Sequence, residues 1–232
     1  MEKNRYGHIL TENFQEAVGA WIKNYSNNIA IIEGERKITY RELGNLIIRC
    51  RKFFFEQGVK KGDNIAVHMG NHSEFIMVFL SLVTMGAVPI LILSAQKKNE
   101  VRGIVRVATP KLYIYDAAVS VLGSLVAEEN KELKGIEKTI FTSMLESSEV
   151  EKTKEETYKE QIVPEDLALL LLSGGTTGNP KLIPRTHGDY LYNVKRITER
   201  LKLTQESVFL SVLPMAHNFA PVSYTHLRAH ET

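Results

Sequence analysis

The strongest constraint on the fold is the alternation of short apolar runs with helical segments between residues 64 and 116. The apolar, strand-like runs are NIAVHM, VPILIL and KLYIYD, and between them lie SEFIMVFLSLVTM and NEVRGIVRVA, which have helical length and period. The run from Val88 to Leu93 is apolar on both faces, as in the middle of a parallel sheet. The sequence therefore predicts an α/β fold of mostly parallel β-sheet with flanking helices.

The segment before this alternation predicts two helices around a hairpin. Apolar residues recur at helical spacing from Thr11 to about Tyr25, and IAIIEGERKIT places two β-prone runs around a Gly-Glu turn. Thr39 and Glu42 have the spacing of a capping box, which predicts the start of a second helix. Gly58 is a plausible end for that helix.

The segment after the alternation predicts a charged connection and a return to strands. Residues 146 to 161, ESSEVEKTKEETYKEQ, offer almost nothing to bury and predict an exposed connection or a solvated helix. The apolar run from Leu167 to Leu172 then predicts a buried strand, and LIPR predicts a short second strand. A helix is predicted from about Gly188 to Leu201, and His187 is interpreted as a residue at its start. VFLSVLP predicts a closing strand.

Composition excludes several classes of protein. The 232 residues are 44% hydrophobic and 24% charged, as in a globular chain with a real core. A net charge of +2 gives too weak an electrostatic field to attract nucleic acid, so no nucleic-acid partner is expected. No run reaches the ~18 apolar residues of a membrane span, so no membrane partner is expected. Cys50 is the one cysteine, expected as a buried thiol in a reducing compartment, and with no apolar signal core the sequence predicts a cytoplasmic protein.

The most informative segment is a glycine-rich run that directly follows a predicted buried strand. It comprises Ser173, Gly174, Gly175, Thr176, Thr177, Gly178, Asn179, Pro180 and Lys181. Glycines let backbone N–H groups approach an anion, hydroxyls donate to phosphate oxygens, and the lysine adds a positive charge. This chemistry suits the polyphosphate of a nucleotide with Mg²⁺. The run is not a Walker loop, because Leu182 stands where Ser or Thr should follow the lysine. The alternative is an ordinary polar turn.

At these residues the sequence resembles the adenylate-forming enzymes, whose phosphate loop looks like SGGTTGNPK. ITYREL at 38 to 43, LSLVTMGAVPILI at 80 to 92 and LPMAHNF at 213 to 219 resemble further motifs of that family, in the same order. KLIPRTHGDY and the triplet His217-Asn218-Phe219 are most similar to aryl acid AMP ligases, which activate 2,3-dihydroxybenzoate or salicylate for siderophore synthesis. No metal-ligand set is identified in the sequence.

The resemblance implies an activity and a division of roles. Family members join a carboxylate to the α-phosphate of ATP, with Mg²⁺, and the aryl acid ligases pass the acyl group to the phosphopantetheine thiol of an aryl carrier protein. Residues Ser173 to Gly178 and Lys181 would cradle phosphates. His217 would lie near the carboxylate and phosphate as a catalytic and substrate-binding group, Asn218 could bond a ring hydroxyl, and Phe219 would complete that wall. Alternatives are an acyl- or aryl-CoA ligase, or a non-catalytic nucleotide-binding module.

The resemblance also implies a boundary. Residues 1–221 correspond to the N-terminal part of an adenylation domain, and the later Mg²⁺, ribose and lysine motifs of the family are not present, so we expect the chain to be an inactive fragment. The last residues, 222–232, read VSYTHLRAHET. This peptide resembles a reading frame of a DNA library adapter and is expected to be non-native, so His226 and His230 are not taken as metal ligands.

Overall fold

A computed structural model describes residues 11–116, 119–129, 133–137, 160–172 and 180–217. The strands in this part of the chain are β1 (Ile29–Glu33), β2 (Arg36–Thr39), β3 (Asn64–His68), β4 (Val88–Ile92), β5 (Leu112–Tyr115), β6 (Lys134–Glu137), β7 (Leu167–Leu172) and β8 (Leu182–Thr186). The helices are α1 (Phe14–Asn24), α2 (Tyr40–Glu56), α3 (Ser73–Thr84), α4 (Lys98–Ala108), α5 (Ser120–Glu129) and α6 (His187–Leu201).

Six of these strands form one sheet in the order β6-β5-β3-β4-β7-β8. All neighbours from β6 to β7 are parallel, and β8 is antiparallel to β7 at the edge. Strands β1 and β2 form a separate antiparallel hairpin. The predicted α/β class, with a mostly parallel sheet and flanking helices, is confirmed.

Alternate residues of the strands enter two different cores. On β3, Ile65 and Val67 pack into a core with α1, α2, α3 and α6, whereas Ala66 packs on the opposite face with α4 and α5. This period of two follows from the pleat of a strand. The sheet is therefore a layer between two groups of helices, and its central strands are apolar on both faces because both faces are covered.

Helix α3 is buried along its whole length, since all twelve of its residues are buried. It lies between the sheet and helices α1 and α2. Two of its three buried hydroxyls are satisfied within the helix, with Ser81 donating to the carbonyl of Met77 at 2.6 Å and Thr84 donating to that of Leu80 at 2.7 Å. A helix in this position has no polar face, which explains why the sequence there is apolar in every direction.

The predicted boundaries of α2 are confirmed. Thr39 is the N-cap, its hydroxyl accepts from the backbone N–H of Glu42, and the Glu42 carboxylate accepts from the Thr39 N–H. This pair closes the capping box expected from the spacing. The helix ends at Glu56, and Gly58 follows with φ at +77°, a conformation that favours glycine.

Two parts of the sequence interpretation did not match the structure. Helix α5 and strand β6 were not predicted, because β6 is a four-residue edge strand and α5 is short and only weakly amphipathic. The closing strand predicted for VFLSVLP is wrong, since no residue from 202 to 217 is in a strand. Val208, Leu210 and Val212 are about 80% exposed, and this part of the chain finds no partner strand among the described residues. The expected charged connection lies outside the described residues except at 160 and 161, and the terminal peptide lies wholly outside them.

Candidate functional site

The glycine-rich run connects the two strands of an antiparallel pair. Strand β7 is buried, with Ala168 and Leu169 fully inaccessible, and it pairs with β4 on one side and β8 on the other. Leu172 pairs with Leu182 at the end of the ladder. Residues 173–179 lie outside the described residues, so the structure describes the two strands that carry the loop and its last two residues, Pro180 and Lys181.

The C-terminal end of this loop rests on helix α4. A Cβ at Gly103 would lie 3.2 Å from Cδ of Pro180, which is a tight approach. Lys181 follows directly, has an exposed side chain, and immediately precedes β8. The side chain of Lys181 is therefore exposed to solvent at the C-terminal end of the loop, where its ammonium group can contact an anionic ligand.

The carboxyl ends of the parallel strands meet at one edge of the sheet, which is where ligands bind in open α/β sheets. Asp116 follows β5 at this edge, is 1% exposed, and accepts a hydrogen bond of 2.5 Å from the backbone N–H of Gly70 after β3. A Cβ at Gly70 would lie 3.2 Å from the Asp116 carboxylate, so the close approach depends on glycine. The loop after β3 is thus tied to the end of β5.

A buried histidine and tyrosine lie just inside the same edge. The Nδ1 atom of His68 is 2.7 Å from the hydroxyl of Tyr113, and both side chains are fully buried. Burial lowers the pKa of His68 and raises the pKa of Tyr113, so both are neutral at pH 7. The contact satisfies the Nδ1 atom of His68 and the hydroxyl of Tyr113, and neither side chain carries a charge at pH 7.

Residues 203–217 lead to the predicted acid-binding triplet. His217 is exposed, and its backbone N–H donates to the carbonyl of Pro214 at 2.8 Å in a tight turn. The preceding residue, Ala216, is buried in the core. Asn218 and Phe219 lie outside the described residues.

Asn71, in the loop after β3, contacts this segment with both ends of its side-chain amide. Its Nδ2 donates to the carbonyl of Leu213 at 2.8 Å, and its Oδ1 accepts from the N–H of Met215 at 2.7 Å. Sequence interpretation missed Asn71, Asp116 and Gly103. The signal for Asn71 was GNHSE at 70 to 74, a polar stretch just after a buried strand, which is where site residues of α/β sheets are found.

His187 is a structural residue at the start of α6, as the sequence interpretation has it. Thr186 is the N-cap, and its hydroxyl accepts from the N–H of Asp189 at 3.2 Å. The His187 ring is fully buried, and its Nδ1 accepts from the backbone N–H of Phe14 at 3.2 Å. Burial lowers the pKa of His187 to about 4, although the nearby Asp166 carboxylate opposes that shift. The neutral ring joins α6 to the start of α1.

The donor chemistry of Ser173, Thr176, Thr177 and Lys181 fits the phosphates of ATP. Among the described residues no group of three or more His, Cys, Asp or Glu side chains could hold a metal ion, so no Mg²⁺ ligand is assigned here. In the same part of the chain no helix has the length and apolar character needed to cross a membrane.

A mostly parallel α/β sheet in which a buried strand is followed directly by a glycine-rich sequence is typical of nucleotide-binding enzymes. The chain belongs to the AMP-binding enzyme family, whose model matches residues 18–228. Enterobactin synthase component E of Escherichia coli is 32% identical over 201 residues, which cover 84% of this chain. A 2,3-dihydroxybenzoate-AMP ligase of Bacillus subtilis is 33% identical over 212 residues, which cover 90% of it.

A solved structure supports the same assignment. The chain aligns with Mycobacterium smegmatis MbtA, in its apo form, with a TM-score of 0.81 and 26% sequence identity, over 94% of this chain and 42% of that one. The chain spans 38% and 39% of the length of the E. coli and B. subtilis relatives. The resemblance to adenylate-forming enzymes is confirmed, with aryl acid AMP ligases among the relatives.

Proposed function

We propose that this chain is the N-terminal part of a ligase that activates an aryl acid, 2,3-dihydroxybenzoate or salicylate, by forming its acyl adenylate. The acyl group would then pass to the phosphopantetheine thiol of an aryl carrier protein in siderophore biosynthesis. The observation that carries the proposal is the 33% sequence identity to the 2,3-dihydroxybenzoate-AMP ligase of Bacillus subtilis, over 212 residues that cover 90% of this chain. A cytoplasmic location is part of it, supported by the single cysteine.

The arrangement of the strands supports a division of the site into two sides. The phosphate loop follows β7, and Asn71, which contacts the acid-side segment, follows β3, with β4 between the two strands. Neighbouring strands lie ~4.8 Å apart, so the two strand ends are separated by roughly 10 Å. That span is suited to a nucleotide phosphate on one side and a small aromatic acid on the other.

The proposed reaction is a displacement at phosphorus. ATP supplies an electrophilic α-phosphorus, to which the carboxylate oxygen of the acid bonds while the bond to pyrophosphate breaks. The N–H groups and hydroxyls of residues 173–178, with Lys181, would stabilise the negative charge that develops on the departing phosphates. Removing one such preorganised donor costs roughly 10²-fold or more in rate.

The acid side would be formed by the triplet 217–219. His217 would lie near the carboxylate and the α-phosphate, and Asn218 would bond a ring hydroxyl. An amide that reads a hydroxyl is left unpaired when an acid without that hydroxyl binds, which is a physical source of selectivity. The aromatic ring of Phe219 suits contact with an aryl acid.

The test is pyrophosphate exchange by the full-length gene product with 2,3-dihydroxybenzoate, salicylate and benzoate. We expect exchange with a hydroxylated benzoate, followed by acyl transfer to a phosphopantetheinylated aryl carrier protein and not to coenzyme A. Transfer to coenzyme A instead would identify a CoA ligase. Nucleotide binding without exchange for any acid would favour a non-catalytic module and contradict the proposal.

The proposal includes a domain boundary. Residues 1–221 would form the N-terminal part of the adenylation domain. The peptide 222–232 would be foreign to the gene because of its likeness to a library adapter, although the matched family range extends to residue 228. Sequencing the locus from source DNA decides this, since codons for VSYTHLRAHET in place would contradict it. The 232-residue chain by itself is expected to form no aryl adenylate.

A further inference from the structure

Asn71 makes an unusual long-range contact, because one side-chain amide hydrogen-bonds two backbone groups two residues apart. Nδ2 donates to the Leu213 carbonyl and Oδ1 accepts from the Met215 N–H, across 142 and 144 residues of sequence. A neighbouring β-strand offers a donor and an acceptor with a similar spacing. The amide thus substitutes for a partner strand at this point, and only Asn or Gln carries a donor and an acceptor of this kind.

Burial holds only the C-terminal end of the segment that Asn71 contacts, since Leu213 is 49% exposed whereas Met215 packs partly buried against the core. Val208, Leu210 and Val212 are about 80% exposed, and a cavity of about 210 Å³ is lined by residues 209–211 and Met215 together with β1 and Asn71. Buried Ala216 anchors the segment next to His217. The two hydrogen bonds from Asn71 therefore act together with this packing to fix the backbone just before the predicted acid-binding triplet.

Asn71 is itself held on a rigid support. The residue before it, Gly70, donates its N–H to the buried Asp116 carboxylate at 2.5 Å. Two residues after it, Ser73 donates its hydroxyl to the Glu33 carboxylate at 2.7 Å and begins the fully buried helix α3. A side chain on such a support can fix the position of a weakly packed segment.

We propose that Asn71 is a positioning residue for the acid side of the site, acting through the backbone of residues 213–215 on His217. The inference rests on the proposed function for its chemical consequence. The contacts of Asn71 are with the segment that leads to His217, so its loss should displace His217 and leave Lys181, which follows the other side of the site, in place.

The positioning is tested on the 232-residue chain by amide hydrogen exchange of Met215. Losing a net hydrogen bond of about 1 kcal/mol corresponds to roughly 5-fold faster exchange in Asn71→Ala. Asn71→Asp keeps the acceptor for the Met215 N–H but sets a carboxylate oxygen against the Leu213 carbonyl, so it should retain only part of the protection. The control Asn45→Ala removes another exposed asparagine, on α2, and should leave Met215 unchanged. Unchanged exchange in Asn71→Ala would overturn the positioning role.

The consequence for the acid is tested by steady-state kinetics on the full-length gene product. We expect Asn71→Ala to raise KM for the aryl acid roughly 5-fold or more while KM for ATP stays within 2-fold, and Asn45→Ala to change neither. If the wild-type enzyme is active and Asn71→Ala changes both KM values equally, or changes neither, the inference is overturned. A wild-type enzyme that activates no aryl acid would overturn the proposed function, and the exchange experiment would still decide whether Asn71 holds residues 213–215.

Discussion

Pro180, at the C-terminal end of the glycine-rich loop, packs against the backbone of Gly103 in helix α4. A Cβ at Gly103 would lie 3.2 Å from Cδ and 3.4 Å from Cγ of the proline ring. One end of the loop is therefore supported by a helix that covers the sheet, and the support depends on the absence of a side chain at residue 103.

This contact predicts opposite outcomes for two Gly→Ala substitutions in helices. Gly19→Ala in α1 meets nothing within 4 Å and should stabilise the chain by about 0.5–1 kcal/mol through helix propensity. Gly103→Ala gains the same propensity but pushes Pro180 away, so its net effect should be smaller or destabilising. Urea unfolding of both variants measures the difference. Equal stabilisation by the two substitutions would show that the loop end does not rest tightly on α4.

The buried His187 predicts a loss of stability in mild acid. Its pKa is about 4 in the folded chain and ~6.5 when unfolded, so between these values the unfolded state binds the additional proton. This loss of stability is absent above about pH 6.5, and the free energy of unfolding falls as pH drops toward 4, by roughly 3 kcal/mol. The free energy of unfolding should depend less on pH in His187→Gln over this window. An identical pH dependence would contradict the assignment of a neutral buried ring.

The single cysteine is predicted to be unreactive toward thiol reagents until the chain unfolds. Cys50 is fully buried in α2, and burial raises its pKa to about 12, so almost no thiolate exists at pH 8. Labelling by a soluble disulfide reagent should be undetectable in native buffer over minutes and complete in guanidinium chloride. Rapid native labelling would mean that α2 opens locally at low cost.

The exposed apolar run at 208–212 predicts self-association of the isolated chain. Val208 and Leu210 are about 80% exposed in a β-prone segment, a combination that favours pairing with another chain. The double variant Val208→Lys, Leu210→Lys should reduce light scattering of concentrated samples. Val107→Lys on α4, which is 52% exposed, is the control for added charge and should reduce scattering less. An equal reduction of light scattering by the two variants would show that added charge, and not the exposed run at 208–212, controls self-association.

The two sides of the proposed site predict separable kinetic effects in the full-length enzyme. Lys181→Ala and Thr177→Ala should lower the rate of pyrophosphate exchange roughly 10²-fold through the phosphates, without changing the ranking of acids. Asn218→Ala should reduce discrimination between hydroxylated and plain benzoates, at a cost on the order of 1–3 kcal/mol in that contact. A changed acid ranking in Lys181→Ala, or an unchanged one in Asn218→Ala, would contradict the assignment of the two sides.

The sequence alone determined the features that depend on neighbouring residues. The Thr39–Glu42 capping box, the strand ending at Leu172 and the apolar strands of the sheet could be predicted because hydrogen bonds and burial follow the helical and strand periods. The run from Ser173 to Lys181 is contiguous, so its chemistry and its family resemblance could be identified without coordinates. The aryl acid relatives followed from such local motifs.

Only the tertiary structure decided the contacts between distant residues. The order β6-β5-β3-β4-β7-β8 brings Asn71 to Met215 and His187 to Phe14, and no spacing in the sequence indicates either pair. It also decided that VFLSVLP is not a strand, because a β-prone segment becomes a strand only when a partner satisfies its backbone. Local propensity is a property of the segment, whereas pairing and burial are properties of whatever the fold places beside it.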